Sequence, residues 1–168
     1  NCTGFDSIEL GNLTSIPDRT FYCCTGLKGS LEIPDTVTLI GDEAFYDCSG
    51  LTGSLIIPNS TTYIGEMAFY RCSGFDGSLI LNGNYTIIKS ATFYKCSGFI
   101  GNIQIPEKVK EIEDQVFYGC SGFNGSLMLG DVTEIGNEAF CDCSGLTGNL
   151  NFPKNLATLQ NYVFKGCS

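Results

Sequence analysis

The chain has 168 residues, 43% of them hydrophobic, which is long and apolar enough for a continuous core and argues against disorder despite 21 glycines. Acidic residues outnumber basic ones 18 to 9, and a formal charge of −9 repels phosphates, so nucleic acid is not an expected partner. No apolar run reaches membrane-spanning length and no basic amphipathic stretch suits a membrane surface, so membrane insertion of this segment is not expected.

A cysteine recurs at Cys2, Cys24, Cys48, Cys72, Cys96, Cys120, Cys143 and Cys167, a nearly constant interval along the whole chain. A period of this length predicts stacked rungs, each burying its apolar side only against its neighbours. The expected organisation is one solenoid over 1–168 with seven repeats, at 2–23, 24–47, 48–71, 72–95, 96–119, 120–142 and 143–166.

Within a rung the first element is a short strand. Leu31, Leu55, Leu79, Ile103, Leu127 and Leu150 share one column, and two residues later come Ile33, Ile57, Leu81, Ile105, Leu129 and Phe152. The i, i+2 spacing turns both columns to one face, inward. Pro34, Pro58, Pro106 and Pro153 then stop the strand. A second extended segment follows, marked by apolar pairs such as Val37 with Ile40 and Val109 with Ile112.

Next comes the column Asp18, Asp42, Glu66, Ser90, Asp114, Asn137 and Asn161, mostly residues favoured at helix N-caps. Three residues on stands an unbroken column of Phe21, Phe45, Phe69, Phe93, Phe117, Phe140 and Phe164. Cap, buried Phe and then Cys predict one short helical turn, ended by Ser-Gly with the glycine able to take a positive φ. The carboxylates of this column are thereby structural rather than a paired acid and base. Two shortened repeats lose residues only before the first strand or in turns, as at Gly130-Asp131, where length changes are tolerated.

Ten cysteines ordinarily suggest disulfides. Eight of these mark one point of the repeat, so the ladder is expected to be mainly reduced packing thiols. Cys23 and Cys141 replace other residue types and are the expected sites of pairing or reactivity.

Leu55, Ile57, Pro58, Ile64, Gly65, Ala68, Phe69 and Cys72, with their counterparts in the other rungs, resemble the BspA-like, or Treponema pallidum type, leucine-rich repeat. The family pattern is Leu-x-x-Ile-x-Ile-Pro-x-x-Val-x-x-Ile-Gly-x-x-Ala-Phe-x-x-Cys. One added residue in the Leu-Thr-Gly-Ser-Leu stretch lengthens the unit here. The resemblance implies a right-handed solenoid, ~33 Å long at ~4.8 Å per rung. Parallel strands would form its concave face, with a second short extended segment and a helical turn in each 22–24-residue rung. It also implies proteins exposed on the surfaces of bacteria or protists and associated with adhesion and cell contact.

Residues between the inward positions of the first strand face outward: Glu32, Ile56, Ile80, Gln104, Met128 and Asn151, flanked by Ser30, Ser54, Ser78, Asn102, Ser126 and Asn149. Glu32, Ser54, Ile56, Ser78, Ile80, Gln104 and Met128 are the candidate binding residues. Ile56, Ile80 and Met128 are apolar where water is expected, against the simpler reading that β-branched residues merely suit strands. A second row, Tyr22, Tyr46, Tyr70, Tyr94 and Tyr118, would offer rings to sugars or proteins, or simply cover the core with hydroxyls in water. Asn-x-Ser/Thr sequons stand at Asn1, Asn12, Asn59, Asn84 and Asn124; glycans on Asn12, Asn59 and Asn84 would line one edge and leave the strand face open.

The chain contains no histidine and no tryptophan. The commonest general base and metal ligand is therefore absent, and Cys141-Asp142-Cys143 lacks a second pair at zinc spacing, so neither catalysis, a cofactor nor a metal is expected. Two readings remain. One is a non-catalytic extracellular or cell-surface module that binds a protein or glycan. The other is a subunit of a glycosylated filament that assembles end to end. The sequence starts at Asn1 and stops at Ser168 in repeat register without polar caps, as expected of an excised segment or of a stacking unit.

Overall fold

Alternation of inward and outward residues, interrupted every few positions by a turn, allows only very short strands. The computed structural model describes residues 5–167. In chain order the strands are β1 (Ser15–Ile16), β2 (Gly29–Ser30), β3 (Leu39–Ile40), β4 (Leu51–Thr52), β5 (Leu55–Ile57), β6 (Tyr63–Ile64), β7 (Leu79–Leu81), β8 (Ile87–Ile88), β9 (Ile103–Gln104), β10 (Glu111–Ile112), β11 (Leu127–Met128), β12 (Glu134–Ile135) and β13 (Thr158–Leu159).

Every pairing is parallel and joins neighbouring rungs. In the first row β5 pairs β7 and β9 pairs β11, while β2 pairs β4 just ahead of that row. The second row runs β1–β3–β6 and β8–β10–β12–β13. Parallel neighbours need a long return connection, and here the remainder of the rung supplies it.

The inward columns are buried as their spacing predicts. Leu55, Ile57, Leu79, Leu81, Ile103, Ile105, Leu127 and Leu129 are core residues, as are Ile16, Ile40, Ile64, Ile88, Ile112 and Ile135 of the second row. Leu150 and Phe152 depart from this pattern and are exposed. Residues 149–152 form no strand. Phe152 instead meets Phe164 edge-on, with ring centroids 6.0 Å apart.

The Phe column is continuous. Its rings stack between successive rungs at centroid distances of 5.1 to 5.7 Å, and Phe45, Phe69, Phe93, Phe117 and Phe140 are fully buried. A second column, unrecognised in the sequence, packs Leu27, Leu51, Phe75, Phe99 and Phe123 three residues after each cysteine.

The expected helical turn is absent; the segment carrying Phe is a ladder of tight turns. Arg19 and Cys23, Glu43 and Asp47, Met67 and Arg71, and their later non-glycine counterparts have φ between +52° and +58°, with Gly119 and Gly166 at +69° and +78°. A left-handed residue every fourth position breaks a right-handed helix. Alternate amides also point at the next rung: Glu43, Phe45 and Asp47 donate to the carbonyls of Glu66, Ala68 and Tyr70 at 2.7–2.8 Å. Donors committed between rungs are unavailable for a helix, and the same three bonds recur from rung to rung.

The supposed caps act between rungs as well. The Asp18 carboxylate accepts from the Asp42 amide at 2.9 Å, Asp42 from Glu66 at 3.0 Å, and Asp114 from Asn137 at 2.6 Å. At Ser90 the acceptor is Glu113 of the next rung. The glycine after Cys-Ser is likewise not at positive φ: a Cβ on Gly50, Gly74 or Gly98 would collide with carbonyl oxygens of the preceding rung. Glycine is required there by close approach of two backbones.

Cysteine has a specific role in this core. The thiols of Cys48, Cys72, Cys96 and Cys120 donate at 3.0 Å to the carbonyls of Phe21, Phe45, Phe69 and Phe93, one rung back. Cys143 and Cys167 do so to Phe117 and Phe140 at 3.1 Å. These six are thiols, not disulfides. Burial pushes Cys48 and Cys120 up to about 12 and raises Cys72, Cys96 and Cys143 far above the ordinary thiol value.

Candidate binding faces

The first-strand row brings its candidate residues together by register. Ile56 of β5 lies beside Ile80 of β7, and Gln104 of β9 beside Met128 of β11. Ile56, Ile80 and Met128 are 49%, 40% and 40% exposed while their immediate neighbours on the same strands are buried. Ser78, Ile80, Asn102 and Gln104 line one shallow depression of 290 Å³.

Ser54 and Asn102 also have a structural task between rungs. Ser54 Oγ accepts from the Ser78 amide at 3.0 Å, as Asn102 Oδ1 does from Ser126 at 2.8 Å. Glu32 is exposed but stands apart, on the wall of a 780 Å³ cleft with Glu9, Lys28 and Ser30 between the first two rungs.

The tyrosines form a second ladder. Tyr22, Tyr46, Tyr70, Tyr94 and Tyr118 stack at 4.6–4.9 Å with planes within 18° of parallel. Both faces of Tyr46, Tyr70 and Tyr94 are therefore covered by neighbouring rings, which removes them as platforms for a sugar face. The Arg71 and Lys95 cations lie 5.5 Å from the Tyr70 and Tyr94 centroids. Desolvation raises the Tyr46 and Tyr94 phenols, and hydrogen bonding to Asp142 raises Tyr118, so these hydroxyls stay protonated at neutral pH.

Asn12, Asn59, Asn84 and Asn124 are exposed, and Asn1 lies outside the described residues. Asn59 and Asn84 occupy adjacent rungs, where Asn84 Nδ2 donates to the Asn59 carbonyl at 2.9 Å and Asn84 Oδ1 accepts from Lys108. Asn124 Oδ1 accepts from the Gly101 amide at 2.9 Å.

Cys23 is half-buried and Cys141 buried, its thiol raised chiefly by desolvation. They flank opposite ends of the tyrosine ladder, five rungs or about 24 Å apart at the strand spacing. They therefore cannot bond to each other within one chain.

One outward row escaped the sequence reading. Ser15, Leu39, Tyr63, Ile87, Glu111, Glu134 and Thr158 precede or oppose one another along the second strands. The signal was present as the residue just before each inward Ile, but its mixed chemistry gives no repeating type to notice. Beside this row burial alone would raise the Glu113 carboxyl, yet hydrogen bonds from Lys89 at 2.9 Å and from Ser90 more than offset it and hold the group below its usual value.

The family pattern described as a BspA type leucine rich repeat region matches in six copies, over residues 1–124 and 51–168. The chain belongs to the BspA-type leucine-rich repeat family. Members of this family are generally protein-binding, surface-associated or secreted bacterial proteins. A leucine-rich repeat protein from Bacteroides ovatus shares 30% identity at a TM-score of 0.75, over 99% of this chain and 42% of that one. The BspA-type chain thus spans less than half the length of that relative. A leucine-rich repeat protein of T. pallidum has the same fold at 22% identity and a TM-score of 0.61, over 83% of this chain and 74% of that one. No curated protein matches the chain. Among the described residues no helix is long and apolar enough to cross a membrane.

Proposed function

We propose that this BspA-type solenoid is a non-catalytic binding module of a cell-surface or extracellular protein, acting in adhesion by holding a protein or glycan on its first-strand face. The observation that carries this reading is the in-register pair Ile56 and Ile80, held on a sheet whose neighbouring side chains are all core. Exposed apolar groups on a rigid, ordered surface bind without the entropic cost of ordering them. The sequons at Asn12, Asn59, Asn84 and Asn124 belong to the same reading as glycan sites on turns beside the strands.

The test is Ile56→Asp with Ile80→Asp. Adhesion to host-matrix proteins or to partner cells is abolished, and the melting temperature stays within a few degrees because neither side chain is in the core. Full adhesion by the folded double variant removes this face from consideration. End-to-end assembly is the second reading, since the parallel pairing of successive rungs is of a kind that a second copy can continue. Sedimentation velocity separates the two, since a filament subunit grows with concentration and an adhesin module does not.

A further inference from the structure

The outward row of the second strands has a polarity that the core does not require. Leu39 of β3 and Tyr63 of β6 lie side by side in register, each 38% exposed. Tyr63 is held in place by a hydrogen bond from its hydroxyl to the Asp42 carboxylate at 3.3 Å. Further along, Glu111 of β10 stands directly opposite Glu134 of β12. Like charges placed opposite each other on neighbouring strands destabilise a sheet. Among the described residues the ion pairs are Arg19–Glu43, Lys89–Glu113 and Lys110–Asp131, so neither Glu111 nor Glu134 is in an ion pair, although the charge of Lys89 acts on Glu111 from the rung before. Both line a groove of 340 Å³ shared with Glu113 and Asp114.

We propose that this row docks a segment of a partner protein in which an apolar stretch is followed by lysines or arginines. The segment lies across the rungs, its apolar end over Leu39 and Tyr63 and its cations between Glu111 and Glu134. An aromatic ring fixed at one end and unmatched charge at the other are complementary to such a segment and to its direction. A free polyamine or a divalent cation would use only the acidic end and leave the apolar end uncovered. The net charge of −9 steers a basic segment toward the molecule. This surface is on a different sheet from Ile56 and Ile80, and the proposal does not rest on the first-strand reading.

The test is calorimetric titration with the peptide acetyl-Gly-Leu-Gly-Leu-Gly-Lys-Gly-Lys-Gly-amide. Glu111→Gln with Glu134→Gln weakens binding about tenfold or more, and the same double variant melts higher than the parent because the repulsion is gone. Leu39→Ser weakens binding as well. Glu9→Gln with Asp35→Asn, exposed carboxylates on the first two rungs, changes affinity less than about twofold, and Ile56→Asp with Ile80→Asp leaves it unchanged. Equal weakening by the Glu9 and Asp35 variant would show diffuse attraction to an acidic protein and overturn the proposal. Undiminished binding of a peptide with Ser in place of Leu would overturn it too, reducing the groove to a cation site.

Discussion

Each inner Phe of the buried column, from Phe45 to Phe140, is clamped on both sides by its own copies. Phe93 stacks on Phe69 at 5.7 Å and on Phe117 at 5.4 Å, fully buried. Neither neighbour can move into a gap without leaving its own rung, so Phe93→Ala costs about 3–5 kcal/mol, measured by urea unfolding. A loss below about 1 kcal/mol would show that the column carries little of the core energy. The thiol ladder makes a pH-dependent contribution of definite sign. An unfolded thiol ionises near its ordinary value of about 8.5, whereas Cys48 and Cys120 hold their protons to about 12 and Cys96 is also raised, chiefly by desolvation. The unfolded chain then loses protons first, so stability is complete below that ordinary value and falls as pH rises toward the folded one. Unfolding free energies measured from neutral to strongly alkaline pH show this decline, and Cys96→Ala makes the slope shallower.

The turn ladder replaces the helix because its donors are committed between rungs, and its left-handed residues are held there by those bonds. Lys95 has φ +54° and donates its amide to the Tyr118 carbonyl at 2.7 Å. Gly119 occupies the same place one rung later, at φ +69°. Lys95→Gly therefore leaves stability unchanged or higher in thermal melts. Lys95→Val, which puts a β-branched residue where it clashes with its own backbone, lowers stability by about 1–2 kcal/mol. Equal effects of the two changes would mean that the left-handed conformation is not what limits this position. Where the glycines of the column Gly41, Gly65 and Gly136 give way to Lys89 and Glu113, those two side chains bond to each other at 2.9 Å.

The molecule as a whole is a one-dimensional stack, in which each rung touches only its neighbours and stability sums along the chain. Deleting residues 73–96, one full repeat, joins Cys72 to Ser97 with every column still in register. The shortened chain folds cooperatively, melts lower, and is about 4.8 Å shorter by small-angle scattering. Removing only residues 73–84 joins unlike halves of two rungs and leaves the distal part unfolded by circular dichroism. Should both deletions fold alike, register between rungs is not what holds the solenoid together.

How much of this was legible in the residues follows from what repetition can express. A column of identical Phe, Leu-x-Ile or Cys residues states which side chains stack, because only a neighbouring copy can bury them, and the inward and outward sense of the first strand follows from a period of two. The family resemblance rests on those same columns. Hydrogen-bond partners are another matter. An Asp before a buried Phe looks the same whether its carboxylate caps its own turn or takes the amide of the next rung, and only the stacking distance between rungs chose the second. The helical reading of the Phe segment failed for that reason, and Gly50, read as able to take a positive φ, is needed for close approach instead. The opposed Glu111 and Glu134 were equally hidden: a whole rung apart in the chain, they acquire a relationship only when parallel pairing sets them face to face.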